Sequence, residues 1–231
     1  MPRLRIIYDV KGWAYHNRAL ALKKYAPDDF EVSISRLNQK HKGLKNGPFE
    51  IVLLLDYRAV KKVRMATLVT SFNTGWPRRR PEFDVCLANS HAVIVNNREY
   101  WERTCQPRGA YQISNGVDRE VFQLTTPFES REPNVLWCGS VYGGRGTIKG
   151  YDDMAVPLSA ALKSMQIPMD IHAVRSPKAR FRSPAEMAAW YNTGTVYVVT
   201  SKLEGTPNPA LEAASCGCTV VSTRVGNMPE L

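Results

Sequence analysis

The sequence predicts an α/β protein made of two Rossmann-like, doubly wound domains with parallel sheets, the second incomplete. Apolar runs rich in β-branched residues recur along the whole chain. Several are continuous rather than alternating, which suits strands covered on both faces, as in a parallel sheet. Helical patterns fall between many of them, and strand–helix alternation implies a doubly wound architecture.

In the first half, residues 4–10, 32–37, 49–55, 65–72, 92–95 and 110–113 read as strands. In the second, residues 134–138, 169–174, 195–199 and 219–222 do so. Helical spacing is clearest over 15–25, 98–105, 152–165, 184–191 and 209–215. Ser183, Pro184 and Glu186 form a helix start: a capping hydroxyl, a proline at the first position and a glutamate at the third. Residues 116–133 lack a strong period and carry two prolines, so they are expected to be the linker. The expected domains are 1–118 and 119–231.

At 44% hydrophobic and 23% charged, the 231 residues are too apolar for a disordered chain. The longest aliphatic run, 51–55, is too short to span a bilayer. The amino-terminal residues show no long apolar stretch or small-residue cleavage site, so a cytoplasmic location is expected. Five cysteines, with no Cys-x-x-Cys pair and no histidine at zinc spacing, read as small apolar residues in a reducing compartment. The net charge of +10 is uneven: residues 1–118 hold 20 of the 31 cations and 11 of the 21 acids. A basic half and a near-neutral half imply different partners, with nucleic acid, anionic lipid and phosphorylated ligands all open.

Ligands of doubly wound sheets bind beyond the carboxyl ends of the strands, so the turns after each strand carry the functional reading. Gly12, after the first strand, lets backbone amides approach a phosphate or sugar, and His16 lies close behind it. Asn115 and Gly116 follow the sixth strand; Asn-Gly is equally an ordinary turn signal. Residues 138–150 carry five glycines with Ser140, Arg145 and Lys149 and lead into a helix, either a diphosphate site or a solvated loop. It is not a Walker loop, because Lys149 is not followed by Ser or Thr. The richest turn runs from Glu204 through Thr206, Asn208, Pro209 and Ala210 to Glu212. The amides of 208–211 are expected to be free donors at a helix start, and Glu212, in its first turn, can accept from two adjacent hydroxyls such as a ribose diol.

Glu204 and Glu212 form an E-x7-E pair in a setting that resembles the GT-B fold retaining glycosyltransferases of family 4. Residues 219–231, with Gly226, Pro229 and Glu230, are similar to that family's next strand and its Gly-x-x-Pro-Glu segment. Residues 113–118, with Asn115-Gly116-Val117-Asp118, are similar to the close of its first domain, and 90–95 to the strand before it. The resemblance covers roughly residues 85–231.

It implies a nucleoside diphosphate sugar bound by the second domain, an acceptor (glycan, lipid-linked or small molecule) on the first, and transfer in the cleft between them. Carried over by motif position, Glu212 holds the ribose, Glu204 contacts the donor sugar and Lys149 pairs with the diphosphate. Gly12, Asn115, Gly116, Ser140, Thr206, Asn208, Pro209 and Ala210 complete the expected donor site, and Glu204, Lys149 and Arg145 the catalytic set. Retention without a protein nucleophile implies front-face displacement. No cofactor or metal is expected, since Asp-x-Asp does not occur.

Two departures stand out. Ser140 replaces the family's arginine, with Arg145 five residues on as the candidate substitute, and Thr70-Ser71-Phe72-Asn73 lacks its histidine. The chain also stops at Pro229-Glu230-Leu231, inside a motif, so a C-terminally truncated chain of slow turnover is expected. The rival readings are a non-catalytic nucleotide-sugar-binding protein and a basic nucleic-acid-binding protein; the latter lacks the aromatic-rich basic motif of a known module. The basic half is expected to face a phosphorylated acceptor or, peripherally, a membrane, with Lys40, Lys42, Lys45, Lys61, Lys62 and Arg78 to Arg80 as candidates.

Overall fold

The computed structural model describes residues 1–12, 14–37, 51–62, 67–72, 80–98, 101–102, 110–176, 178–179 and 182–231. The chain divides into two compact units, Met1–Ser114 and Asn115–Leu231.

The first unit carries β1 (Arg3–Tyr8), α1 (Ala14–Lys24), β2 (Glu31–Arg36), β3 (Ile51–Leu54), β4 (Leu68–Phe72), α2 (Arg80–Asn89), β5 (Ala92–Val95) and β6 (Ala110–Gln112). All strands are parallel, in the order β2-β1-β3-β4-β5-β6. Each face has its own apolar core. Ile7, Val52, Leu54, Phe72, Phe83, Cys86 and Val93 fill one; Ile6, Tyr8, Ala19 and Leu55 fill the other. The adjacent residues Ile6 and Ile7 thus belong to opposite cores, as pleating requires. Of the basic candidates in this half, Lys40, Lys42, Lys45, Arg78 and Arg79 lie outside the described residues.

The second unit carries β7 (Val135–Ser140), α3 (Arg145–Lys149), α4 (Val156–Ser164), β8 (Met169–Val174), α5 (Pro184–Tyr191), β9 (Val196–Val199), α6 (Asn208–Ser215) and β10 (Thr219–Ser222). Its sheet is parallel in the order β10-β9-β7-β8. The expected capping box starts α5: Ser183 Oγ accepts from Glu186 N, and Ser183 N donates to Glu186 Oε2.

The structure corrects the expected elements in four places. Residues 80–89 form α2, a helix absent from the expected set. Glu82 lies in its first turn, and Phe83 and Cys86, three apart, are fully buried. The glycine-rich loop contains its own short helix, α3. The helix expected over 152–165 opens with one wide π turn, Tyr151–Ala155, in which Ala155 N donates to Gly150 O. Pro157 accounts for it: a proline has no N–H and its ring crowds the carbonyl four residues back. Of the helix expected over 98–105, residues 98, 101 and 102 are described, and they are helical.

The fourth correction concerns the linker. Residues 116–133 belong to the second unit and are knitted into it. Phe122 sits in its core beside Leu136, Tyr191 and Ala213. Arg131, 9% exposed, donates to the carbonyls of Thr126, Gly194 and Cys216 at 2.6–2.9 Å. Asn192 Oδ1 accepts from the amides of Thr125 and Thr126. Arg131→Met is expected to cost the second unit about 2–3 kcal/mol, because buried carbonyls lose charged donors. Urea denaturation should show a lower midpoint with an unchanged slope.

Candidate functional site

In the second sheet the chain leaves β7 toward β8 but leaves β9 toward β10, so the strand order reverses between β7 and β9. At such a switch point neighbouring loops diverge and open a crevice beyond the carboxyl ends. Several of the expected site residues lie on the segments that leave these two strands: Ser140 at the end of β7 and Lys149 after it, Glu204 and Asn208 after β9.

After β7, whose last residue is Ser140, the chain turns through Gly143 and Gly144, both at positive φ, into α3. Lys149 ends α3 and forms an ion pair with Glu204 Oε1 in the loop after β9. Ser201 Oγ donates to the same oxygen at 2.7 Å. The two loops are stitched together beneath this pair. Thr200 Oγ1 donates to Lys149 O at 2.7 Å and accepts from Trp137 Nε1 at 2.8 Å, while Lys202 N donates to Ile148 O.

The loop after β10 closes on the same place. Gly226, at φ +54, packs so tightly that an added Cβ would lie 2.3 Å from Gly205 O. Beside it Asn227 is fully buried, and neither polar atom of its side chain has a partner among the described residues. Asn115 Nδ2 donates to Asn208 Oδ1 at 2.9 Å, and its buried Oδ1 has no partner there either.

Glu212 lies in α6, where Asn208 is the first residue, so it stands in the second turn rather than the expected first. Its Oε2 accepts from Tyr191 Oη at 2.9 Å; Oε1 has no partner among the described residues. Burial raises its carboxyl above the ordinary range, and the Tyr191 hydrogen bond pulls it part of the way back. Behind it lies a further polar contact, Cys138 Sγ to Tyr197 Oη at 3.3 Å. Burial pushes the Cys138 thiol up to about 11 and both tyrosines well above their usual value. Glu212 is the acid of this cluster, and its negative field adds to those upward shifts.

Other expectations fail in detail. The amides of 208–211 are not all free donors: Asn208 N donates to Thr206 O and Ala210 N to Pro207 O, and Pro209 has no N–H. Ala210 packs into the core at 1% exposure, so its side chain faces away from any ligand. Arg145 is exposed and stacks 5.0 Å above the Tyr142 ring. Thr206 is half-buried in the loop, and Gly116 is exposed with open space around it. Gly12 lies in the first unit, and its amide already donates to His16 Nδ1 at 3.0 Å. His16 thus closes a turn, its ring 4.5 Å from that of Tyr8.

Sequence reasoning missed Tyr191, Thr200 and Ser201. The last two directly follow β9, and that position alone was a signal for them. Tyr191 carried none, because it reaches the site from the end of another helix. Among the described residues no group of three His, Cys, Asp or Glu side chains could hold a metal ion, and no helix is long and apolar enough to cross a membrane. Cys86, Cys138, Cys216 and Cys218 are free thiols; Cys105 lies outside the described residues.

Residues 147–231 match the family described as Glycosyl transferases group 1. No curated protein matches the chain. The chain is similar to sucrose-phosphate synthase from Thermosynechococcus elongatus, at 12% identity over 98% of this chain and 82% of that one, with a TM-score of 0.59. It is similar to the lipopolysaccharide outer core galactosyltransferase WaaB, at 14% identity over 100% and 82%, with a TM-score of 0.54. It is also similar to S. aureus TarM in a complex with Fondaparinux, α-GlcNAc-glycerol and UDP, at 12% identity over 78% and 42%, with a TM-score of 0.51. At these identities the likeness establishes the fold, two parallel α/β sheets of the GT-B class.

Proposed function

We propose that this chain belongs to a retaining glycosyltransferase that takes its sugar from a nucleoside diphosphate sugar held by the second unit. The observation that carries the reading is the Lys149, Glu204 and Ser201 cluster in the loops after β7 and β9, with Glu212 held by Tyr191 in the helix that follows. The family match over 147–231 and the UDP in the TarM complex support it.

Lys149 is the cation for the diphosphate, Glu212 accepts from the ribose hydroxyls through Oε1, and Glu204 takes the donor sugar. In a front-face displacement the bond from the sugar's anomeric carbon to the phosphate oxygen breaks while the acceptor oxygen bonds to the same face. The acceptor's proton passes to the departing phosphate oxygen. Charge develops on that phosphate, where a preplaced ammonium stabilises it. Neither Glu204 nor any other side chain needs to act as a nucleophile. No divalent metal has a role in this reading, which takes Lys149 as the cation at the diphosphate.

Calorimetry with UDP and GDP, in excess chelator, tests this. Glu212→Gln should weaken the bound nucleotide about tenfold or more, the worth of hydrogen bonds to a charged group. Unchanged affinity would place the site elsewhere, and a large loss in chelator would reverse the metal assignment.

The pH dependence follows from the raised Glu212 carboxyl. Affinity requires the carboxylate, so it should fall as pH drops, starting above the ordinary carboxylate range. Tyr191→Phe removes the bond that favours the charged form. The affinity loss should then begin at still higher pH, with little change at pH 9.

A further inference from the structure

The first sheet has its own switch point. The chain leaves β1 toward β2 and β3 toward β4, so the loops diverge between β1 and β3. Three charged groups there satisfy one another. Arg58 donates from Nε to Asp56 Oδ1 at 2.7 Å and from Nη2 to Asp56 Oδ2 at 3.0 Å, and Nη2 reaches Asp9 Oδ2 at 3.5 Å. Asp9 also accepts from Val10 N, and Asp56 from Arg58 N.

A second guanidinium has one hydrogen-bond partner among the described residues. Arg18 extends from α1 to Ser71, near the carboxyl end of β4, and donates from Nη1 to Ser71 Oγ at 3.3 Å. Its Nε and Nη2 have no partner, and no carboxylate lies within ion-pair distance, among the described residues. It belongs to the same end of the sheet: Tyr15, one turn earlier, feels the charges of Asp56, Asp9, Arg58 and Arg18 together. Arg18 is half-buried, and burial lowers its pKa. The segments that continue the chain past β2 and β4, residues 38–50 and 73–79, carry Lys40, Lys42, Lys45, Arg78 and Arg79 against one acid, Glu50. A half-buried guanidinium at this end of the sheet, with two donors that no described residue takes up, matches a tetrahedral oxyanion in charge and in fork geometry.

We infer that Arg18, seated on Ser71, is the anchor of a phosphate-binding site in the first unit. If the chain transfers sugar as proposed, the phosphate is a group on the acceptor; the site itself does not depend on that reading.

The probe is inorganic phosphate, titrated calorimetrically into the whole chain at constant ionic strength with excess UDP present. Wild type should bind saturably. Arg18→Gln should bind at least tenfold more weakly and Arg18→Lys at least threefold, since an ammonium cannot reproduce the fork. UDP affinity, read separately, should be the same in all three. Should Arg18→Gln fail to fold, as its melting temperature would show, Arg18→Lys decides. Co-sedimentation with phosphatidylglycerol and phosphatidylcholine vesicles identifies the source. Anionic-vesicle binding that phosphate displaces and Arg18→Gln loses marks a lipid headgroup; phosphate binding without vesicle binding marks a soluble phosphate. Phosphate affinity equal within twofold in all three proteins, or absent from wild type, overturns the site. So does anionic-vesicle binding indifferent to Arg18. Intact UDP binding in those cases would leave the transfer reading standing.

Discussion

Glu204→Gln should lower turnover of the nucleotide sugar by about 10²–10³-fold, yet bind the free nucleoside diphosphate as tightly as wild type or a few-fold more tightly. The first half of that expectation follows from the proposed roles: Glu204 is paired with Lys149, the residue proposed to meet the diphosphate. Losing one positioned polar group at a reacting centre typically costs that much. The second half follows from the ion pair. Without nucleotide, Glu204 neutralises Lys149 across a partly exposed contact, the two side chains 14% and 29% accessible. An incoming diphosphate competes with that carboxylate. Replacing it by an amide removes the competitor, worth at most about 1 kcal/mol for a pair with this much solvent access. Lys149→Ala should behave oppositely, weakening free nucleotide and lowering turnover together, because it removes the cation itself. Calorimetry with UDP or GDP and initial rates with the matching sugar donors separate the two variants. Equal weakening of free nucleotide by both would mean that Glu204 holds the nucleotide and not the sugar.

The strands of this fold were legible because a parallel sheet buried on both faces leaves unbroken apolar runs, as at Ile51–Leu54 and Val196–Val199. Helix α2 was not, because Pro81 and the arginines before it read as punctuation. Its apolar stripe is short, Phe83, Cys86 and Leu87 with Val85 beside them, and burial against Phe72 decides in favour of a helix. The segment 116–133 misled for the opposite reason. It has no period because it is a strap, fastened by Arg131 and Asn192 through carbonyls and amides that no local pattern encodes. At the site, Glu204, Lys149 and Glu212 could be singled out as charged residues in turns. That Lys149 answers Glu204, and Tyr191 answers Glu212, depends on contacts 55 and 21 residues apart. Spacing along the chain does not contain them.

Gly150→Ala should be the most damaging single methyl in the second unit, costing about 4 kcal/mol. Gly150 closes α3 at φ +63, a left-handed conformation that costs a side chain about 1 kcal/mol or more. Steric contact adds the greater part. An added Cβ would lie 2.1 Å from Thr200 O and 3.0 Å from its carbonyl carbon, both backbone atoms with no rotamer to yield. Relief requires moving the chain after β9 or the end of α3, at the usual overpacking cost of about 1–3 kcal/mol. Either movement strains the bonds from Thr200 Oγ1 to Lys149 O and from Trp137 Nε1 to Thr200 Oγ1, which set the heights of Lys149 and Glu204. The melting temperature should fall by more than ~10 °C, and nucleotide affinity should fall in whatever fraction stays folded. Gly143→Ala isolates the backbone cost: its φ is +60 but nothing lies within 4 Å of the added carbon, so about 1 kcal/mol is expected. Gly116→Ala, with open space and no positive φ, should be neutral. If Gly150→Ala costs no more than Gly143→Ala, the two loops are not locked together at Thr200, and the pairing of Lys149 with Glu204 does not depend on that joint.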